Sequence, residues 1–474
     1  MKTHQATHGM TLPSLRMKAV DRGSRCLTIL FFHSLLFGAA AAYAGVADHL
    51  TRTRVVDVDV ITYPMGAESM VTIMGSLPAG DFFAQQDGSN PAIATLTGMM
   101  LERGTTHRDK FAISKDLDDV GATLSFDVDT QTVTFRGRSL KKDVPRLIQI
   151  LGEELREPAF SSEEFAKAKM QFDGKMRAAM DDTNYRAREA FELSVFPVGH
   201  PNRPTSLEQQ QADAERATLE EIKAFHAKHY GSAYLTLIFV GDVEADTIHS
   251  TVAHAFSGWN GGTNVARSVA KEQVRKAADG RITIPGKASV SVVVGQRTGL
   301  RYGDPDTLAL RIGTAILGSG FTGRLMSRVR DKEGLTYNIR AGISDDEFVD
   351  GSWMINASFA PALLTRGVAS TRREVQQWWE RGVTADELAF RKSNLIGAYR
   401  VGLSTTAGMA GAILTIVERG KPLSWLDEMP EAVNALTVEQ VNAAIKKHLD
   451  PKRMALIEAG AFQDAQPASK RSSG

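Results

Sequence analysis

Apolar and acidic positions alternate over residues 55–61, the spacing of a strand with one face on a core and one in water. Residues 70–75 read as its partner. Over residues 91–102 the period lengthens to that of a helix. Residues 122–128 and 131–136 predict a hairpin with its turn near Asp129. Residues 144–157 and 162–180 predict amphipathic helices. The second half of the chain repeats this plan. It shows a strand over 289–295, a helix over 307–317, strands over 335–343 and 351–359, and helices over 363–381 and 385–401. Hairpin strands with long helices gathered elsewhere predict α+β domains, each a mainly antiparallel sheet with helices packed on one face.

The halves also repeat residue by residue. Thr218-Leu-Glu-Glu-Ile222 is echoed by Thr437-Val-Glu-Gln-Val441, and His229 follows its threonine at the distance at which His448 follows the other. Leu235-Thr-Leu-Ile-Phe-Val-Gly241 matches Met454-Ala-Leu-Ile-Glu-Ala-Gly460 in register. Upstream, Gly104-Thr-Thr-His-Arg108 aligns with Gly320-Phe-Thr-Gly-Arg324, and Gly121-Ala-Thr-Leu124 with Gly334-Leu-Thr-Tyr337. Each downstream block predicts a helix capped by threonine, then a short buried strand ending at glycine. Matches in one order at nearly one offset predict two homologous domains. Their expected bounds are 45–256 and 281–461, with a linker over 257–280 and a small, polar, disordered tail over 462–474.

Residues 1–44 stand outside this plan. Arg16, Lys18, Arg22 and Arg25 precede an apolar run over 27–42, broken by His33, and Ala42-Tyr43-Ala44 is a small-x-small site. This predicts a signal peptide cleaved after Ala44, with Met17 an alternative start that leaves a basic region of ordinary length. The run is short for a spanning helix and ends in small residues, which argues against a retained anchor. The single cysteine, Cys26, falls inside this leader, so the mature chain would have no disulfide and no thiolate metal site. With 474 residues and a formal net charge of +1, there is no electrostatic case for nucleic acid or an anionic membrane. The expectation is an exported protein, periplasmic in a bacterial cell, with no stable membrane anchor after cleavage.

The stretch from Gly318 to Tyr337 carries the chemistry. Gly318-x-Gly320-x-x-Gly323 matches a dinucleotide fingerprint as a string, but it follows a predicted helix where the fingerprint needs a strand. The glycines read better as a turn that lets another backbone approach closely. Arg330 brings a planar fork of donors and Tyr337 a phenolic hydroxyl, a pair able to hold a peptide carbonyl or a developing oxyanion. In the competing reading, Arg330 pairs with Asp331 or Glu333 and Tyr337 fills the core. His226 and His229 share a predicted helix without a nearby carboxylate or third imidazole, so packing or capping fits them better than ligation. No HxxEH, HExxH, GxSxG or CxxC string occurs.

The duplicated plan and the Gly334-Leu-Thr-Tyr337 motif resemble the pitrilysin/insulinase (inverzincin) metallopeptidases, a family that includes mitochondrial processing peptidase. The resemblance runs from about Val55 to Gly460. It implies an HxxEH zinc motif on a first-domain helix shortly before a Gly-Thr pair, a later glutamate ligand, and the motif glutamate as general base. Counted back from Gly104-Thr105, the histidine positions hold Thr95 and Met99, and the glutamate position holds Gly98. The later ligand region, 170–176, offers Asp173 and Lys175 but no glutamate. The expectation is therefore no metal, no cofactor and no catalytic residue in this chain.

The resemblance also implies that Arg330 and Tyr337 hold the substrate carbonyl opposite a zinc site, and that the strand from Leu335 lies near bound peptide. Small members of the family pair, one subunit carrying zinc and its partner the Arg-Tyr pair. The reading that follows is an exported, non-catalytic subunit of a zinc metalloendopeptidase heterodimer. Its partner would be an HxxEH-bearing sister subunit that holds the zinc, and its substrate a peptide or unfolded protein. Two other readings stand beside it. One is a binding or structural protein of the same fold with no peptidase role. The other is a complete metallopeptidase with unconventional ligands such as His107 or His200.

Overall fold

The computed structural model describes residues 45–66, 69–265 and 278–462. The expected leader over 1–44, residues 266–277 of the expected linker and residues 463–474 of the expected tail lie outside the described residues.

Strands β1 (Thr51–Val55), β2 (Val58–Pro64), β3 (Met70–Leu77), β4 (Thr123–Val128), β5 (Val133–Leu140) and β6 (Thr236–Gly241) form one sheet. Their order is β1-β2-β6-β3-β5-β4, and β2 with β6 is its parallel pair. Strands β7 (Gly280–Thr283), β8 (Val290–Arg297), β9 (Thr336–Ser344), β10 (Ser352–Phe359) and β11 (Ala455–Gly460) form the second, in the order β7-β11-β8-β10-β9. There the parallel pair is β7 with β11. With β1 set aside, the two orders match strand for strand, so the repeat seen in sequence is a repeat of topology.

One expectation is corrected at the start of the first sheet. Residues 55–61 are not a single strand. Val56 and Asp57 lie at φ 42° and 68° and reverse the chain between β1 and β2. Two successive residues at positive φ make the tight hairpin turn whose twist suits antiparallel strands. Alternation runs on through such a turn, so the period alone cannot show it.

The repeat extends to side chains. The Leu219–His229 and Val438–His448 helices both begin at capping boxes, Thr218 with Glu221 and Thr437 with Gln440. At their far ends, His229 Nε2 lies 2.7 Å from Asp87 and His448 Nε2 lies 2.8 Å from Asp306. Lys228 and Lys447 reach the same two carboxylates. These histidines anchor helix ends, in line with the packing or capping role favoured over ligation.

Each sheet is covered on both faces. In the first, Val58, Val60, Leu237 and Phe239 point into a core shared with the half's own helices, among them Val144–Arg156 and Leu219–His229. Ile61, Ile238 and Val240 point the other way, onto Met409, Ala410 and Ile413 of the Thr406–Glu418 helix, which belongs to the second half. The second sheet is completed in return. Val293, Ala455 and Ile457 pack on Ala187 and Phe191 of the Thr183–Val195 helix from the first half. Each half's own helices thus occupy one face, as expected, and an exchanged helix takes the other. Because neither sheet is covered without its counterpart, the described residues form one compact unit. Phe462, expected in the tail, instead packs over the Arg281 guanidinium at 4.3 Å.

Candidate functional site

The Thr307–Gly318 helix ends where it meets β9. A Cβ on Gly318 would lie 2.5 Å from the Ala341 backbone nitrogen, so the glycine serves close approach of two backbones. The chain turns and then winds as a π-helix over Met326–Lys332, burying Met326 and Val329. Such wide turns are uncommon and gather at functional sites. The Gly334 N–H closes it by donating to Arg330 O at 2.9 Å, and β9 begins at Thr336.

This geometry sets the Arg330 guanidinium 5.0 Å from the Tyr337 ring and 5.3 Å from the Phe321 ring. Tyr337 is 83% exposed and Phe321 75%. A cation over an exposed ring gains only about 0.5–1 kcal/mol, so the cluster is not explained as a source of stability. Among the described residues no carboxylate pairs with Arg330, and Glu333 is taken by Arg373 at 2.8 Å. The competing reading, with Arg330 paired and Tyr337 in the core, is not what the chain adopts. Phe321 escaped the sequence reading; its signal is a lone aromatic in a turn of small residues. Strand β9 is the outermost of its sheet, so its free backbone edge beside Tyr337 is open to an extended peptide.

The three degenerate zinc-motif positions sit on the Ile93–Leu101 helix. Thr95 Oγ1 donates to Asp81 Oδ1 at 2.8 Å. Burial pushes the Asp81 carboxyl up to about 7. Met99 packs, partly buried, against the core of the first half. Gly98 faces Val128 at the end of β4, and a Cβ there would lie 2.2 Å from Val128 Cγ2. The glutamate position therefore has no room for any side chain while Val128 stays where it is.

Thr95, Gly98 and Met99 line a cavity of about 380 Å³ with Glu102, Gln171 and Lys175. Lys175 brings an ammonium to it from the region of the later ligand. Asp173 bonds instead to Gln211 at 2.5 Å and Arg177 at 3.0 Å. The bonded hydroxyl of Thr95, the bare Gly98, the thioether of Met99 and the ammonium of Lys175 supply no zinc ligand, and the carboxylates of Glu102 and Asp127 in the same lining have no imidazole beside them. Among the described residues, no group of three or more His, Cys, Asp or Glu side chains is arranged to hold a metal ion.

The two alternative ligands are committed elsewhere. His107 Nε2 lies 2.6 Å from Glu157 at the surface. His200 is buried, with Nε2 3.0 Å from Asp350 and Nδ1 accepting from the Asn202 N–H at 3.1 Å. Burial alone would raise the Asp350 carboxyl, but the hydrogen bonds from His200 and Arg297 outweigh it and hold the group at about 2. A cavity of about 600 Å³ is walled mainly by apolar residues including Leu308, Ile343 and Trp425, and Thr95, Gly98, Met99, Arg330 and Tyr337 do not line it.

Comparison with known proteins points to one family. A family model described as Insulinase (Peptidase family M16) matches residues 82–195, and one described as Peptidase M16 inactive domain matches residues 216–395. Together they take in more than half of the chain. An uncharacterized zinc protease of Streptomyces coelicolor is 24% identical over 378 residues, covering 77% of this chain and 80% of its own. The non-peptidase homolog YmxG of Helicobacter pylori is 21% identical over 371 residues, covering 77% and 83%. The crystal structure of a peptidase M16 inactive domain from Pseudomonas fluorescens superposes with a TM-score of 0.77 at 26% identity, over 88% of this chain and 100% of that one. With the duplicated topology, these matches place the chain in peptidase family M16, the insulinase family, as an inactive-type homologue.

Proposed function

We propose that this chain is the exported, non-catalytic subunit of a zinc metalloendopeptidase heterodimer. Arg330 and Tyr337 hold the carbonyl of a peptide or unfolded substrate opposite the zinc of an HxxEH-bearing sister subunit. The guanidinium donates to the oxygen that gains charge, and the phenol supplies a second donor. Substrate backbone adds to the open edge of β9. Zinc stays in the sister subunit, because Thr95, Gly98 and Met99 supply no ligand set and no base here.

The observation that carries this reading is Arg330. It has no carboxylate partner among the described residues, and its guanidinium lies within 5.3 Å of two exposed aromatic rings beside a free strand edge. The leader pattern supports export. The test is co-purification with the HxxEH-bearing sister and assay of the pair on an unfolded polypeptide. Cleavage by the pair, lost with Arg330→Ala, supports the reading. Stoichiometric zinc in the purified single chain would overturn it.

A second reading, a binding protein of this fold with no peptidase role, is favoured by the non-peptidase name of the Helicobacter pylori relative. Under it, Arg330→Ala weakens peptide binding by the single chain, and no sister subunit co-purifies.

A further inference from the structure

The cavity of about 600 Å³ in the second half is the counterpart of the one at the zinc-motif positions. Gly104 aligns with Gly320, and at equal distances before them Thr95, Gly98 and Met99 correspond to Arg311, Thr314 and Ala315. Gly121 aligns with Gly334, and at equal distances after them Val128 corresponds to Ala341. The first set lines the smaller cavity and the second set the larger. Each cavity lies between a helix that ends before the aligned glycine, the edge strand β4 or β9, and a long helix, Ser162–Asp181 or Ala385–Gly402. The linings differ. Glu102, Lys110, Asp127 and Lys175 face the smaller cavity. Leu308, Ile343, Leu395, Ala412 and Met429 face the larger, which the Thr406–Glu418 and Trp425–Ala435 helices help to wall. The duplication thus keeps a pocket in both halves and makes the second one apolar.

A few polar groups interrupt that apolar wall. The Arg311 and Arg419 guanidiniums lie 5.3 Å and 3.7 Å from the Tyr302 ring. Arg311 pairs with Asp346, and Arg419 Nη2 donates to Glu347 at 2.9 Å. The Nε–H of each arginine is buried and has no partner among the described residues, and the same holds for the Trp425 indole N–H. Thr314 and Tyr399 are committed by contrast. Thr314 Oγ1 donates to Leu310 O and accepts from the Trp353 indole, and the Tyr399 hydroxyl donates to Leu426 O. A buried donor without an acceptor costs free energy, so three donors on one apolar cavity call for an acceptor atom. They do not call for an anion. Two guanidiniums already stand against the Asp346 and Glu347 carboxylates, and a further buried negative charge would go unmatched.

We propose that this cavity binds an uncharged, apolar small molecule that carries a carbonyl oxygen, a ketone or an ester. The aliphatic wall takes the hydrocarbon, and the free N–H groups of Arg311, Arg419 and Trp425 serve the oxygen. The volume falls within the roughly 300–1,000 Å³ of small-molecule sites, whose walls are mostly apolar with a few placed polar groups. Arg330 and Tyr337 do not line the cavity, so the inference is independent of the function proposed above.

The test titrates the purified full chain with 2-decanone, decanoate and butylbenzene, equal in carbon count, by calorimetry. 2-Decanone should bind at one site, at least about 10-fold more tightly than decanoate, which brings a charge. It should bind about 3–10-fold more tightly than butylbenzene, which has no acceptor. Trp425→Phe keeps a ring and removes the indole donor, so 2-decanone should bind about 3-fold more weakly while butylbenzene is unchanged. Ala412→Phe fills the cavity without touching either ion pair and should weaken both uncharged probes at least about 10-fold. Absence of saturable 2-decanone binding up to its solubility limit overturns the proposal. So does decanoate or butylbenzene binding as tightly as 2-decanone, or 2-decanone binding that Ala412→Phe leaves unmoved. None of these outcomes bears on cleavage by the heterodimer.

Discussion

Thr183 Oγ1 and Ser291 Oγ lie 2.7 Å apart, joining the first residue of one exchanged helix to the sheet it covers. The reciprocal contact is Thr72 Oγ1 to Thr406 Oγ1 at 2.8 Å, where Thr406 begins the other exchanged helix. Ser291 and Thr72 occupy the same place in their sheets, opposite Ala459 and Val240, one residue before Gly460 and Gly241. The duplication is thus kept at the level of single hydrogen bonds, even though each bond crosses between halves.

If the exchanged helices carry the second faces of the sheets, apolar burial should outweigh these hydroxyl contacts. Phe191 is fully buried, so Phe191→Ala should cost about 3–5 kcal/mol in urea unfolding. Thr183→Val should cost about 1 kcal/mol, the net worth of one hydrogen bond. A Phe191→Ala loss as small as that of Thr183→Val would show that the helix does not hold the sheet.

Arg330→Ala in the reconstituted pair should lower kcat/KM about 10²–10³-fold, the usual cost of removing one preorganised donor. Tyr337→Phe keeps the ring under the guanidinium and removes only the hydroxyl, so its loss should be smaller. Phe321→Ala removes one ring contact of Arg330 and should raise KM more than it lowers kcat. None of the three should shift the melting temperature noticeably, because Phe321 and Tyr337 are exposed and Arg330 lacks an ion-pair partner among the described residues. Melting curves together with steady-state kinetics check both halves of the expectation.

The contact between Gly98 and Val128 predicts how restoration of zinc binding would fail. Gly98→Ala alone should destabilise the chain by about 1–3 kcal/mol through overpacking. Thr95→His, Gly98→Glu and Met99→His together should not yield a folded zinc protein. Adding Val128→Ala makes room and should recover much of the stability. Zinc content and thermal unfolding of the triple and quadruple variants decide it. A triple variant that is stable and holds zinc would show that Val128 moves aside easily.

Acid stability should report on Asp350. Its carboxyl titrates at about 2 in the fold, below its ordinary value of 3.8. A depressed carboxylate contributes stability above its unfolded pKa, and that share is lost as pH falls through the folded value. The window is therefore pH 4 down to 2, with a contribution of about 2 kcal/mol above it. Asp350→Asn should remove that part of the acid transition while leaving Arg297 and His200 short of an anionic partner. An unchanged acid profile would place the pH dependence elsewhere.

The duplicated plan was legible in the chain because it rests on local signals. Thr218 and Thr437 announce helix starts, Gly241 and Gly460 end buried strands, and alternation marks the strands between. The turn at Val56-Asp57 was not legible, because alternation continues across it. Phe321 was not legible as a partner of Arg330, because what joins them is the wide turn over Met326–Lys332, whose winding no local pattern encodes.

That Thr95, Gly98 and Met99 stand at zinc-motif positions is what the family resemblance implies; the sequence by itself determined the repeat, the α+β class, and the presence of Arg330 and Tyr337. Each follows from residue chemistry or from a period of two or 3.6, which neighbouring residues carry. Only the tertiary structure decided that the halves trade helices, that Val128 closes the Gly98 position, that Arg330 lies beside two exposed rings, and that Asp427 holds the Val46 and Ala47 amides. These depend on which distant segments meet. Contacts such as that of Val46 with Asp427 arise from packing two complete cores against each other, an outcome no local window of the chain contains.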